Sequence, residues 1–326
     1  MSAISYTAYM LRFSGPLHIG DNRDDYGSSL RSISSDTMYA ALTATLAKMG
    51  KEIPADGDLG CVISAVFPYF RENHNAPATL FFPKPLPLSL PRLKKENAAD
   101  AKKLKKVKWI DWPYLSKILA GEDVFASNSI YASVKGEYLT EKEIDESFMV
   151  SEILERVTVS RAFDDSKPFY MERIHFKGNS GLFFLAEGNT ELIDEALPLL
   201  SSEGIGTDRN IGNGTFEFEK NVLETNLPDD AKYGLSLSTF IPENEQHLES
   251  LLTGEAVGFE LFRRGGWVAT PPYLSFRKNV IYAFSPGSVF YGIKSESGRI
   301  VDLKPKGLVP HPIWRCGKAL VFPIKL

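Results

Sequence analysis

Alternation and helical spacing divide much of the chain into recognisable elements. Tyr6–Phe13 is dense in aromatic and strand-favouring residues and runs into Gly15-Pro16, which predicts a first strand and its end. After a polar loop holding His18, Gly20 and Gly27, Ser35 and Asp36 stand where a helix N-cap is expected. Met38, Leu42, Leu46 and Met49 follow near helical spacing until Gly50 stops the helix. Phe81–Pro91 alternates proline with apolar residues and should run extended. Ala98–Val107 permits a helix, and Trp109, Ile110, Trp112 and Leu115 give it something to dock. Residues 125–163 read as an insertion of mixed character. Phe169–Phe176 then reads as a strand, Gly178–Gly181 as a turn and Leu182–Ala186 as its hairpin partner. A helix over Thr190–Leu200 carries Leu192, Ala196, Leu199 and Leu200 on one stripe, and Thr215–Lys220 is a short alternating strand.

In order these are strand, helix, insertion-bearing middle, strand, strand, helix and strand. With one edge strand hidden in the middle, they fit a ferredoxin-like (RRM-like) βαββαβ plan. Asn226–Asp230 reads as a linker. Beyond it, Leu235–Phe240 is a strand, Asn244–Leu252 a helix and Gly258–Ala269 a hairpin, with a tail made mostly of strands. The expected fold is α+β, tandem ferredoxin-like βαββαβ domains with insertions. Residues 1–225 form the first, with lysine-rich and thumb-like insertions, and 226–326 a degenerate second.

Composition narrows the class. A length of 326 residues favours two compact units, and 43% hydrophobic with 24% charged residues is ordinary for a globular protein. Cys61 and Cys316 follow no metal-ligand or disulfide spacing, which suits a reducing compartment and argues against structural zinc. No apolar run approaches the roughly 18 residues a membrane span needs, and the first residues lack a basic flank and apolar core, so a cytoplasmic protein without a membrane partner is expected. The net charge of −4 gives no overall basic field. Basic residues do gather at Arg92, Lys94, Lys95, Lys102, Lys103, Lys105, Lys106 and Lys108, against Glu96 and Asp100, while acids gather at Glu141, Glu143, Asp145, Glu146, Glu152 and Glu155. The lysine run is either a solvated face or an RNA contact.

The densest motif is Gly204-Ile-Gly-Thr-Asp-Arg-Asn-Ile-Gly-Asn-Gly214, two glycine pairs separated by five residues. A Rossmann fingerprint needs a third glycine where Arg209 stands, and a P-loop needs glycine then lysine at Arg209 and Asn210. Both of those loops also lead from a strand into a helix, whereas this one leaves a helix and enters a strand. What remains is a loop whose N–H groups approach a polyanion with Arg209 at its centre, or a long connection needing glycine only for its turns. The start of the first helix offers unpaired N–H groups for phosphate as well, or is a plain cap facing water.

Leu17-His-Ile-Gly20, Ser34–Leu42, Phe82-Pro-Lys-Pro-Leu86, Lys105–Ile110, the glycine loop and His311–Leu320 occur in the order seen in one family. In them the chain resembles the fourth Csm subunit of type III-A CRISPR effector complexes, within the RAMP superfamily of repeat-associated proteins that act in antiviral defence. The resemblance spans nearly the whole chain. It implies a non-catalytic subunit that binds and caps the 5′ repeat-derived handle of the CRISPR RNA. Its partners would be the large polymerase-like subunit and the backbone RAMP subunit of the filament, with target RNA met indirectly and no cofactor or metal. A thumb-like insertion that disrupts guide–target pairing would lie within 125–163. Carried onto this sequence, Gly204, Gly206, Gly212, Asn213 and Gly214 give the backbone path, with Arg209 and Asn210 reaching phosphate or base edges. Ser34, Ser35 and Asp36 make helix-start contacts, His18 and Gly20 line the adjacent loop, and Arg161 stands ahead of the second hairpin. Asp21, Asp24 and Asp25 depart from this pattern, since they repel phosphate.

The competing enzyme is a CRISPR RNA-processing endoribonuclease of the same superfamily, with His18 as general acid or base and Tyr26 or Arg31 as partner. No Gly-x-Ser-x-Gly or His-Glu-x-x-His motif supports another hydrolase. His74, His175, His247 and His311 read as structural or surface residues. Arg263-Arg264 before Gly265-Gly266 reads as a hairpin tip in preference to a nucleic-acid contact.

Overall fold

The computed structural model describes residues 2–20, 26–88, 105–122, 124, 134–142, 144–159 and 166–326. The chain is α+β. β1 (Ser2–Phe13) leads through α1 (Ser35–Lys48) to four short strands, β2 (Cys61–Ile63), β3 (Phe67–Phe70), β4 (Thr79–Pro83) and β5 (Trp109–Asp111). Next come α2 (Trp112–Leu119), β6 (Val134–Lys135), β7 (Tyr138–Leu139) and two long strands, β8 (Met149–Val159) and β9 (Ser166–Phe176). β10 (Gly181–Gly188), α3 (Glu191–Glu203) and β11 (Phe216–Leu227) complete the first half.

β1 lies between β10 and β11, antiparallel to both, and β10 pairs on its other side with β2 and β3. β11-β1-β10-β2/β3 is the antiparallel order that a βαββαβ unit produces. Cys61–Phe70 supplies the strand hidden in the middle, but not as an edge, because β3 goes on to pair with β4 and the sheet continues through β5, β7 and β6. β1 is the second strand from one edge of the sheet, and buried Tyr6, Ala8, Tyr9, Met10 and Leu11 show that both of its faces are covered. Tyr9 stacks on Phe184 at 4.9 Å and donates its hydroxyl to Asp194 of α3 at 2.7 Å, which puts the helices on that side. Tyr6 points to the opposite face by strand alternation and meets Phe322 at 5.3 Å.

Phe322 belongs to the second half. There, β12 (Tyr233–Ser236) is followed by α4 (Glu245–Leu251), β13 (Leu261–Arg264), β14 (Ile281–Phe284), β15 (Val289–Tyr291), β16 (Ile300–Asp302), β17 (Trp314–Cys316) and β18 (Val321–Ile324). β12 repeats the situation of β1, with β15 and β18 antiparallel on either side and a helix after it. Among the described residues this sheet has three strands and no second helix returns over it. Leu235, Leu237, Phe322 and Ile324 join the core built by β1, β10 and α1, so the two halves share one interior.

Three local readings change. Phe169–Phe176 does not turn back onto Leu182–Ala186. β9 pairs with β8 in unbroken register from Met149↔Phe176 to Val159↔Ser166, and β10 joins the central sheet. β13 likewise pairs with β14, seventeen residues later, and not within Gly258–Ala269, because Leu261↔Phe284 and Arg264↔Ile281 set the register. The buried stripe of α3 is Ile193, Ala196, Leu197 and Leu200, while Leu199 faces outward. The expected helix from Ala98 and the first part of the insertion lie outside the described residues.

Candidate nucleic-acid interface

α3 ends at Gly204, whose φ of 79° takes the chain out of the helix, and the glycine loop closes on itself at once. The Ile205 N–H donates to the Gly214 carbonyl at 3.0 Å, pinching the base shut. The loop then docks on the segment after β1, with Gly214 N–H donating to Pro16 O at 2.8 Å and Thr207 N–H to His18 O at 3.0 Å. These approaches explain the glycines. A Cβ on Gly214 would sit 1.9 Å from Ile205 O, and one on Gly206 would sit 2.4 Å from His18 O. By contrast, a Cβ on Gly212 would meet nothing within 4 Å.

The expected cradle of backbone N–H groups therefore takes a different form. Gly204, Ile205, Thr207, Ile211, Gly212 and Gly214 all commit their N–H groups inside the protein. Gly204, Asn213 and Gly214 are buried as well, so their close contacts are with the chain's own backbone. What faces outward is the tip, a short 3₁₀ turn over Arg209–Ile211 set up by Asp208 in the left-handed region at φ 61°. Gly206, Arg209, Asn210, Ile211 and Gly212 are exposed there. Asp208 is tied by Arg156 of β8 at 3.0 Å, so the tip presents one cation without an ion pair among the described residues, one amide and one apolar side chain on a fixed base.

His18 does not line an open loop. Its side chain is 1% exposed and its Nδ1 lies 2.6 Å from the Glu172 carbonyl, a geometry in which Nδ1–H donates. The ring stacks with Tyr26 at 6.0 Å, and Tyr26 leans on Phe169. The pair nominated for acid–base work is thus in contact, but its histidine is enclosed and hydrogen-bonded to β9. The ring bonds β9, and the peptide carbonyl of His18 holds the glycine loop in place. Gly20 is exposed, and Arg161 lies outside the described residues.

Nor is the start of α1 open. Ser34, the N-cap, bonds Thr37 and receives Arg264 Nη2. Ser35 Oγ accepts from Thr239 N–H at 2.8 Å. Asp36 is 1% exposed and takes Arg264 Nη2 at 2.7 Å and the Thr239 hydroxyl at 3.0 Å, with Arg315 Nε 3.5 Å away. Residues from the second half fill the place where a phosphate was expected. No local signal in Ser34–Asp36 could have revealed this, since Thr239, Arg264 and Arg315 all lie more than 200 positions along the chain.

Of the lysine run, Lys105 and Lys106 are exposed and Lys108 pairs with Glu137 at 2.6 Å, while 92–104 lie outside the described residues. The described part of the insertion includes β8, which pairs with β9 just beyond it in a ribbon that carries exposed Ile153, Val157 and Tyr170. Among the described residues no group of three or more His, Cys, Asp or Glu is placed to hold a metal, and no helix is long and apolar enough to cross a membrane. Cys61 and Cys316 are free and buried, and burial pushes both thiols up to about 12.

Known proteins match this arrangement along its length. A protein called CRISPR system Cms protein Csm4 from Thermococcus onnurineus (strain NA1) is 28% identical over 280 residues, covering 81% of this chain and 80% of its own. Its namesake from Streptococcus thermophilus is 24% identical over 333 residues, covering 99% of this chain and 100% of its own. Among solved structures, the fold resembles a chain of a Csm1–Csm4 cassette in complex with cA4, with TM-score 0.62, 20% identity and 99% of each chain covered. It also resembles a chain of a Csm3–Csm4 subcomplex from a type III-A CRISPR-Cas interference complex, with TM-score 0.58, 16% identity and coverage of 99% and 100%. Residues 229–324 match the family model of the CRISPR Csm4 C-terminal domain, so this part of the chain is similar to that domain.

Proposed function

We propose that this chain is a non-catalytic, RNA-binding subunit of a type III-A CRISPR effector complex, holding the 5′ repeat-derived handle of the CRISPR RNA. The observation that carries the reading is the glycine-loop tip. Arg209, Asn210 and Gly212 project from a base closed by Ile205–Gly214 and anchored on Pro16 and His18. A rigid, exposed arginine beside an amide suits a single strand, whose phosphates and base edges are both accessible. RNA contact is accordingly assigned to Gly206, Arg209, Asn210 and Gly212, with Gly20 alongside. His18, Gly204, Asn213 and Gly214 position them. As partners we assign the large subunit and the backbone subunit of the complex, in line with the Csm1 and Csm3 named beside similar chains. The exposed β8–β9 ribbon is the thumb.

Fluorescence anisotropy with a single-stranded RNA of the handle sequence tests this. Arg209→Ala should weaken binding by about 1–3 kcal/mol without lowering the melting temperature, because its side chain is exposed. Unchanged affinity would remove the loop from the interface. Specific cleavage of repeat RNA, lost on His18→Ala, would replace the binding subunit by a nuclease.

A further inference from the structure

The second half of the chain brings two arginines onto Asp36 at the start of α1, and Lys278 lies near enough for the charges of Arg315, Asp36 and Arg264 to act on it. Arg264 comes from β13, Arg315 from β17 and Lys278 from the connection between β13 and β14. Asp36 pairs with Arg264 and Arg315, and among the described residues no other carboxylate lies within 4.0 Å of any of the three. The sequence supplies none nearby along the strand either, since no Asp or Glu occurs from Leu261 to Ser295. The surplus positive charge is held mostly away from water. The Arg264 and Arg315 side chains are 19% and 15% exposed, and the Arg264 Nε is buried with no hydrogen-bond partner. Burial, then the charge of Arg315, pushes the Lys278 amine down to about 8. The partial positive charge at the start of the fourteen-residue α1 adds to this excess.

A protein that only needed to clamp its two halves together would match Asp36 with one arginine. Two arginines and a lysine leave charge that a second anion neutralises, and the partial exposure of both arginines gives it a way in. The chemistry narrows the anion. Planar guanidinium forks and a compact ammonium converging from three elements suit the tetrahedral oxygens of a phosphoryl group. From this we infer that Arg264, Lys278 and Arg315 form a phosphate seat at the junction of the two halves, taking a phosphodiester of the bound RNA. The inference rests on the RNA-binding reading for the source of its phosphate. Arg263 provides an internal control, because strand alternation turns it, exposed, to the opposite face of β13 from Arg264.

The test is anisotropy of the full chain with the labelled handle RNA across a salt series, alongside calorimetric titration with inorganic pyrophosphate. Lys278→Ala has no ion pair to lose and should keep the wild-type melting temperature. It should weaken RNA binding about tenfold and reduce the salt slope by about 1. Arg263→Ala removes the same charge from the other face and should change affinity less than about twofold. Equal losses in the two variants, or none in Lys278→Ala, overturn the seat. If Arg209→Ala alone weakens binding, the loop stands and the seat falls. If the chain binds no RNA yet takes pyrophosphate in a Lys278-dependent way, the seat stands with a free anion as its ligand and the RNA reading falls.

Discussion

The glycine loop and the start of α1 both leave helix-end or turn backbone near a surface, and they satisfy it by opposite means. The loop uses backbone against backbone. Its base is shut by Ile205 and Gly214, its flank lies on Pro16 and His18, and Arg209 is consequently held out without an ion pair among the described residues. The helix start uses side chains from far along the sequence. Thr239, Arg264 and Arg315 cover Ser35 and Asp36, which closes the helix end but imports more charge than Asp36 cancels. Two places with the same local chemistry thus differ in what they offer a ligand, a single exposed arginine in one and a recessed excess of charge in the other.

Breaking the second arrangement should have the largest effect. Asp36→Asn leaves two mostly buried arginines without their counter-charge, and chemical denaturation should show a loss of about 3–5 kcal/mol. A loss under about 1 kcal/mol would mean that the helix start is not a clamp. The loop is next. Gly214→Ala drives a Cβ into Ile205 O at a positive φ and should lower stability by about 3 kcal/mol, whereas Gly212→Ala carries only the left-handed strain of about 1–2 kcal/mol. Equal effects would show that the loop base is not closed as described. The gentlest probe is pH. The folded chain gives up the Lys278 proton near 8, while the unfolded chain holds it until about 10.5, so between those values the native state binds fewer protons. Stability should therefore rise with pH from about 8 to about 9, before the thiols of Cys61 and Cys316, held protonated by burial, reverse the slope, and the rise should vanish in Lys278→Ala.

Much of the first half was legible because its signals are local. The helical spacing of Met38, Leu42 and Leu46, the breaker at Gly15-Pro16 and the helix-to-strand setting of the glycine loop all act within a few residues. Pairing is another matter. Alternation in Phe169–Phe176 says that two faces differ but not which strand lies alongside, and the long, in-register partner is β8. Burial of His18 was hidden for the same reason, since the groups that enclose it come from β9 and from Tyr26. The role of Arg264 was hidden too. A one-residue difference in register decides that it faces α1 while Arg263 faces outward, and the sequence Arg-Arg-Gly-Gly reads only as a tip.

The pairing of β1 between β10 and β11 has a consequence for how the molecule is made. Its two neighbours, β10 and β11, lie some 170 and more residues downstream, so the first strand to leave the ribosome waits for nearly the last of its sheet. At a synthesis rate of about 5–20 residues per second, that interval is roughly 10–40 s, during which Tyr6, Tyr9 and Leu11 have no native surface to cover them. The tip of the glycine loop inherits the delay. Pro16 and His18 are made early and the loop that docks on them late, so Arg209 reaches its fixed place only once most of the chain has been synthesised.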